Sequence, residues 1–133
     1  MSEENVEVVR RVIDAWNRRQ PEGAIRYLDP EVVLDATRRR VNPKTYNGVK
    51  GMRAMLADTD EVWEEFRMEP DEFVDAGDWI VAIGRWVGKG KGSGIEVRQP
   101  VADVFRLHDG RIVRFELGYG DRGKALEAAR LSE

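Results

Sequence analysis

Apolar residues recur along this chain in two periods, and the change from one to the other divides it. In the N-terminal part the period is helical. Val6, Val9, Val12, Ile13 and Trp16 share one side, with Arg10, Arg11, Asp14 and Arg18 on the other, which predicts an amphipathic helix. Ser2 suits its N-cap, and Glu3 and Glu4 suit its positive end. Gln20-Pro21 restarts the chain; Ala24, Ile25 and Leu28 predict a short second helix, which Asp29-Pro30 stops. Glu31 to Ala36 then reads as a strand carrying Asp35 at its end, followed by a polar loop from Thr37 to Lys44. Asn47-Gly48 opens a third helical region with Val49, Met52, Met55 and Leu56 on one face. A second cap near Asp58-Thr59-Asp60 would start Val62, Trp63 and Phe66.

Beyond Pro70 the period becomes two. A strand around Glu72 to Asp75 turns at Ala76-Gly77-Asp78 into Trp79 to Val87, which is apolar on both faces. Such a strand is covered on both sides, so a second layer or a partner subunit must lie over its outer face. Gly88 to Gly94 reads as a flexible connection. It joins strand to strand with no helix N-terminus to receive an anion, so a hairpin loop fits it better than a phosphate cradle. Gln99 to Tyr119 is a strand pair about a tight turn at Asp109-Gly110. Val113, Phe115, Leu117 and Tyr119 form the face expected inward, and Val101, Asp103, Phe105 and Leu107 the matching face of the other strand. A carboxylate thus enters an apolar set, which is costly unless it is paired, hydrogen-bonded or protonated. Pro100 marks an edge or a bulge. Asp121 caps a last helix, Lys124 to Leu131. Helices followed by an antiparallel meander predict an α+β fold, with the helices packed on one face of a curved sheet.

Composition narrows the function classes. At 133 residues, residues 1–133 are read as one domain. A net charge of -3 is not basic enough to suggest nucleic acid. No apolar run could span a bilayer and the first residues are acidic, so no membrane association and a cytoplasmic location are expected. With no cysteine and one histidine, His108, there is no thiolate chemistry and no multi-histidine metal cluster; neither metal nor cofactor is expected. His108 beside its turn reads as solvent-exposed, and the run Arg38-Arg39-Arg40 as a solvated stretch, with attraction of an acidic ligand as its alternative.

Several strings in order resemble the nuclear-transport-factor-2-like superfamily, in its SnoaL-like and ketosteroid-isomerase-like branch. They are Val8-Val9-Arg10-Arg11 through Ala15-Trp16-Asn17, Leu28-Asp29-Pro30-Glu31-Val32-Val33-Leu34-Asp35, Tyr46-Asn47-Gly48-Val49-Lys50-Gly51-Met52-Arg53, Val74-Asp75-Ala76-Gly77-Asp78 and Leu107-His108-Asp109-Gly110-Arg111-Ile112-Val113. The resemblance implies a cone-like half-barrel enclosing a pocket, often as a dimer. The steroid isomerases of this group use a pocket aspartate as base, with an oxyanion hole made of a tyrosine and a protonated aspartate. By position Asp35 resembles the base and Asp103 the protonated acid, while Val12 stands where the tyrosine would be.

The candidate site follows from these readings. Asp35, Asp103 and Arg85 are the candidate catalytic residues. Arg85 shares parity with Trp79, Val81 and Ile83, and it would join Asp103 if that face is inward. An arginine between two aspartates also resembles limonene epoxide hydrolase, which implies water addition. Trp16, Tyr46, Met55, Trp63, Phe105, Phe115 and Tyr119 are the candidate ligand-binding residues for a flat apolar molecule. The expected function is binding of a small hydrophobic molecule, with cofactor-independent acid/base chemistry of isomerase or cyclase type by Asp35 and Asp103. The alternative is a non-catalytic binding or interaction module, a homodimer through the outer sheet face. The substrate and the reaction are not specified by the sequence.

Overall fold

A computed structural model describes residues 2–131, with side chains over residues 3–130; the cap expected of Ser2 lies outside the described side chains. The elements are α1 (Ser2–Asn17), α2 (Pro21–Ile25), β1 (Leu28–Asp35), β2 (Thr45–Asn47), α3 (Gly48–Val62), β3 (Trp63–Ala76), β4 (Trp79–Gly90), β5 (Glu96–His108), β6 (Arg111–Tyr119) and α4 (Arg122–Leu131). The six strands form one curved, unclosed sheet in the order β2-β1-β6-β5-β4-β3, antiparallel except where β1 runs parallel to β6. The fold is therefore α+β, as the change of period predicts. No helix among the described residues is long and apolar enough to cross a membrane.

Two apolar layers hold the sheet. On its inner face Val9, Val12 and Ile13 of α1 and Met52, Met55 and Leu56 of α3 pack with Leu34, Ile80, Ala82, Phe105 and Phe115. On its outer face Ala125 and Ala129 of α4 close over Trp79, Val81, Ala102 and Val104. The two-sided strand is β4, and its second layer is the chain's own last helix. The apolar residues that suggested a partner subunit there are covered by α4.

The helical stretch expected from Val62 to Phe66 is instead the start of β3. Trp63 pairs with Gly90 and Phe66 with Gly88, so the glycines read as a loop belong in part to β4. A Cβ on Gly88 would lie 2.8 Å from the Trp63 ring, and its absence lets the indole lie against the neighbouring strand. Tertiary pairing here outweighs local spacing. Pro70 is tolerated because β3 is a sheet edge and because the register slips between Pro70 and Glu72. Asn17 covers part of that edge: its Nδ2 donates to Met68 O at 2.7 Å, and its Oδ1 accepts from Met68 N at 3.0 Å.

Strand β6 departs from strict alternation twice. Leu107 pairs with Ile112 but Arg106 with Arg114, so one extra residue, Val113, is accommodated; Ile112 is fully buried and Val113 only half-buried. Val113 is thus not the inward residue that alternation predicts. Between Val104↔Glu116 and Ala102↔Tyr119 a second extra residue is accommodated around Leu117-Gly118, where Gly118 takes φ +91°. Pro100 lies where β5 outruns β6 and pairs only with β4, which is the edge position expected of it.

Candidate active site

A cavity of about 650 Å³ lies between α1, the end of α3, the loop after β1 and the inner faces of β3 to β6. Its walls are mostly apolar: Ile13, Trp16, Met68, Val101, Phe115 and Leu117, together with an aromatic cluster of Trp63, Phe66 and Trp86. Phe66 stacks on Trp86 at 5.4 Å between centroids, and Trp63 meets Trp86 edge-on at the same distance. Trp16 stands edge-on to Phe115 at 5.3 Å.

Asp103 supplies a carboxyl to this cavity. It stands on β5 in line with Val101 and Phe105, is 7% exposed, and pairs across to Ala82 of β4. On its other side the Leu117-Gly118 bulge leaves the Gly118 N–H out of the ladder, and that N–H donates to Asp103 Oδ1 at 2.9 Å. No donor among the described residues reaches Oδ2. Burial pushes the carboxyl up to about 7, while the Gly118 hydrogen bond and the charge of Arg38 pull the other way. Asp103 therefore sits where a small change in surroundings decides whether it carries a proton.

Beside it lies a charged cluster. Arg38 lines the cavity, donates to Asp35 Oδ2 at 3.2 Å, and lies over the Tyr119 ring at 4.0 Å from its centroid. Tyr119 donates its hydroxyl to Glu116 at 2.6 Å, and Arg114 bridges Glu116 and Asp35. Burial and the bond to Glu116 push the Tyr119 hydroxyl up to about 12, so it is a neutral group at ordinary pH.

The structure does not bring all the candidates together. Asp103, Trp16, Trp63, Phe115 and Tyr119 line the cavity. Asp35 does not. It ends β1 behind Arg38, accepting from the Thr37 amide at 3.0 Å and the Thr37 hydroxyl at 2.6 Å. Burial raises its pKa, but the Thr37 bonds and Arg38 outweigh that and hold it below the usual carboxylate range. Arg85 is farther off: it shares the outer parity of Trp79 and Val81, and it pairs with Glu69 at 2.9 Å and Asp71 at 3.4 Å. The face that would have carried it to Asp103 is the one under α4. Met55 and Phe105 are fully buried in the core, Phe105 stacked behind Phe115 at 4.3 Å. Tyr46 is buried beside the rim, where its hydroxyl bonds Asp58 and burial and that bond push it up to about 12.

The arginine run is the main correction. Arg38, Arg39 and Arg40 all line the cavity, and only Arg40 of the three is exposed. The signal was available in their place, since they follow directly on the strand that ends in Asp35. The residue between the aspartates is thus Arg38 and not Arg85. His108 is exposed, 3.3 Å from Asp109. Among the described residues no group of acidic or histidine side chains is arranged to hold a metal ion.

A curved, unclosed, mostly antiparallel sheet packed on helices is the fold of the nuclear-transport-factor-2-like class. Within it the chain belongs to the SnoaL-like family: the family's domain model matches residues 9–115. Solved structures agree. An NTF2-like protein of unknown function from Burkholderia pseudomallei is 27% identical, with TM-score 0.79 and 96% of each chain covered. TerC, co-crystallised with polyporic acid, is 21% identical, with TM-score 0.78 over 94% of this chain and 96% of its own. A protein of ketosteroid isomerase-like fold from Catenulispora acidiphila, in complex with trimethylamine, is 19% identical, with TM-score 0.75 over 86% and 85%. The last two share the fold alone. No curated protein sequence matches the chain.

Proposed function

We propose that the cavity takes a small, mostly apolar molecule and that Asp103 exchanges a proton with it, without a cofactor. The observation that carries this reading is the buried Asp103 carboxyl on the cavity wall, with one bonded and one unbonded oxygen. A group titrating near neutrality can accept a proton from carbon next to a carbonyl when ionised and return it at another position when neutral, which is the chemistry of an isomerase or cyclase. Arg38, beside the carboxyl, would stabilise negative charge that develops on the substrate oxygen. Asp35, ion-paired and outside the lining, serves in this reading as the positioning residue of Arg38. Steroid isomerisation in the manner of the isomerases is disfavoured by Val12, which is core. That TerC, which shares the fold, was co-crystallised with polyporic acid supports a small-molecule ligand.

Deuterium uptake next to the carbonyl of small cyclic enones tests the reading. Wild type should speed the uptake, and Asp103→Asn should abolish the effect while keeping the fold. Equal uptake with both proteins would sink it.

A further inference from the structure

Arg39 is a cation with no carboxylate on it. Its Nη1 donates to Thr59 Oγ1 at 2.9 Å, and its Nη2 donates to the Tyr46 hydroxyl at 2.9 Å and to Asn42 O at 3.5 Å. All three acceptors are neutral. Its Nε is buried and has no acceptor, and no carboxylate oxygen among the described residues lies within ion-pairing distance. A second donor of the same cavity, Trp16 Nε1, is also buried without a partner. Both nitrogens are closed to solvent, so it is the uncompensated charge of Arg39, a partly buried residue of the lining, that favours a ligand bringing negative charge.

The charge around the cavity agrees. Arg38 is offset by Asp35; Asp58, also in the lining, is offset by Lys44 at 3.0 Å, accepts from the Tyr46 hydroxyl and acts on Arg39 by charge without forming an ion pair with it. Arg39 and the exposed Arg40 leave the rim positive. The lining also includes the Trp63-Phe66-Trp86 cluster, whose flat faces suit a planar body. We infer that the ligand is a planar organic anion, an apolar ring system bearing a carboxylate that Arg39 binds. Three of its N–H groups already have acceptors and Nε is closed to solvent, so Arg39 would hold the carboxylate by its remaining Nη1 N–H and by its permanent charge. This rests on the cavity being a ligand site, as proposed above, and adds the charge of the ligand and the residue that reads it.

Calorimetric titration with 2-naphthoate and its neutral isostere 2-naphthamide, at about pH 8 where the acid is ionised, separates the two ideas. Wild type should bind naphthoate roughly tenfold or more tightly than the amide. Arg39→Gln should bring the two affinities together, Arg39→Lys should keep part of the preference, and Arg85→Gln should keep all of it. Equal affinities in wild type overturn the inference and leave the cavity reading standing. So does a preference that survives in Arg39→Gln, which would assign the anion to another group. If neither compound binds to wild type, the cavity reading fails and this inference with it. The wild-type comparison needs no variant, so the test stands even if Arg39→Gln does not fold.

Discussion

The Gly118 amide nitrogen lies 2.9 Å from Oδ1 of Asp103, fifteen residues back along the chain and across a bulged strand pair. The relation is one of mutual need. A bulge leaves an N–H out of the ladder, and a buried N–H without an acceptor is costly. A carboxyl on the inner face needs a donor for the same reason. One distortion therefore supplies the other's partner, while the second carboxyl oxygen stays free.

The first prediction concerns pH. The Asp103 carboxyl titrates near 3.8 when unfolded and near 7 when folded, so between those values the folded state holds a proton that the unfolded state has lost. Stability then falls as pH rises through that window and levels off above it. The full span corresponds to at most about 4 kcal/mol. Asp103→Asn, which cannot ionise, should lack this slope. Its thermal midpoint relative to wild type should therefore rise between pH 5 and pH 8; parallel midpoints across that range would contradict it.

Asp35→Asn should behave in the opposite way. Asp35 is the acceptor for Arg38, Arg114 and Thr37, so neutralising it leaves two guanidinium groups short of a partner. The expected loss is about 3 kcal/mol near neutrality, toward the low end for one partner of a buried pair because both arginines are partly exposed. Its folded pKa is lowered, so the contribution is present above the unfolded value and disappears as pH falls below about 4. Denaturant melts at neutral and acid pH read both effects.

These two aspartates also show what the sequence could and could not tell. Asp103 was legible because strict alternation with Val101, Phe105 and Leu107 holds through β5. Asp35 was buried too, but a strand position says nothing of which neighbours stand between a side chain and a cavity. The β6 bulges were illegible for the same kind of reason: Val113 and Gly118 fit an unbroken alternation until pairing with β5 fixes the register. The arginine run reads as solvated because a loop's local composition favours solvent, whereas its course here is set by the ion pair at its root. The N-terminal helices, the meander and the last helix depend on local periodicity and came through with shifted ends. The exceptions are Trp63 to Phe66, where a glycine-rich partner strand makes the difference, and Thr45–Asn47, a strand too short to show a period.

Gly118→Ala tests the bulge itself. At φ +91° any Cβ is strained, and here it would come 3.3 Å from the Arg38 Cβ. A loss of about 1–3 kcal/mol is expected. Because the Gly118 N–H is what most holds the Asp103 pKa down, displacing it should move the Asp103-linked midpoint to higher pH. Measuring stability against pH for both proteins decides this; an unmoved midpoint would mean that the hydrogen bond does not govern the carboxyl.

The last prediction separates Arg85, which the sequence favours for the site, from Arg38, which it places in a solvated run. Arg85 is 43% exposed in its side chain and bonds Glu69 and Asp71 at the sheet surface. Pairs of that kind contribute about 0–1 kcal/mol, so Arg85→Ala should change the melting midpoint little and leave naphthoate binding untouched. Arg38 lies over Tyr119, donates to Asp35 and acts electrostatically on Asp103. Removing its charge withdraws one of the influences that lower the Asp103 pKa, so Arg38→Met should shift the Asp103-linked midpoint upward and also cost stability at Asp35. If Arg85→Ala gave that shift and Arg38→Met did not, the cation governing Asp103 would be the one on the outer face, and the assignment of the polar end of the cavity would have to be reversed.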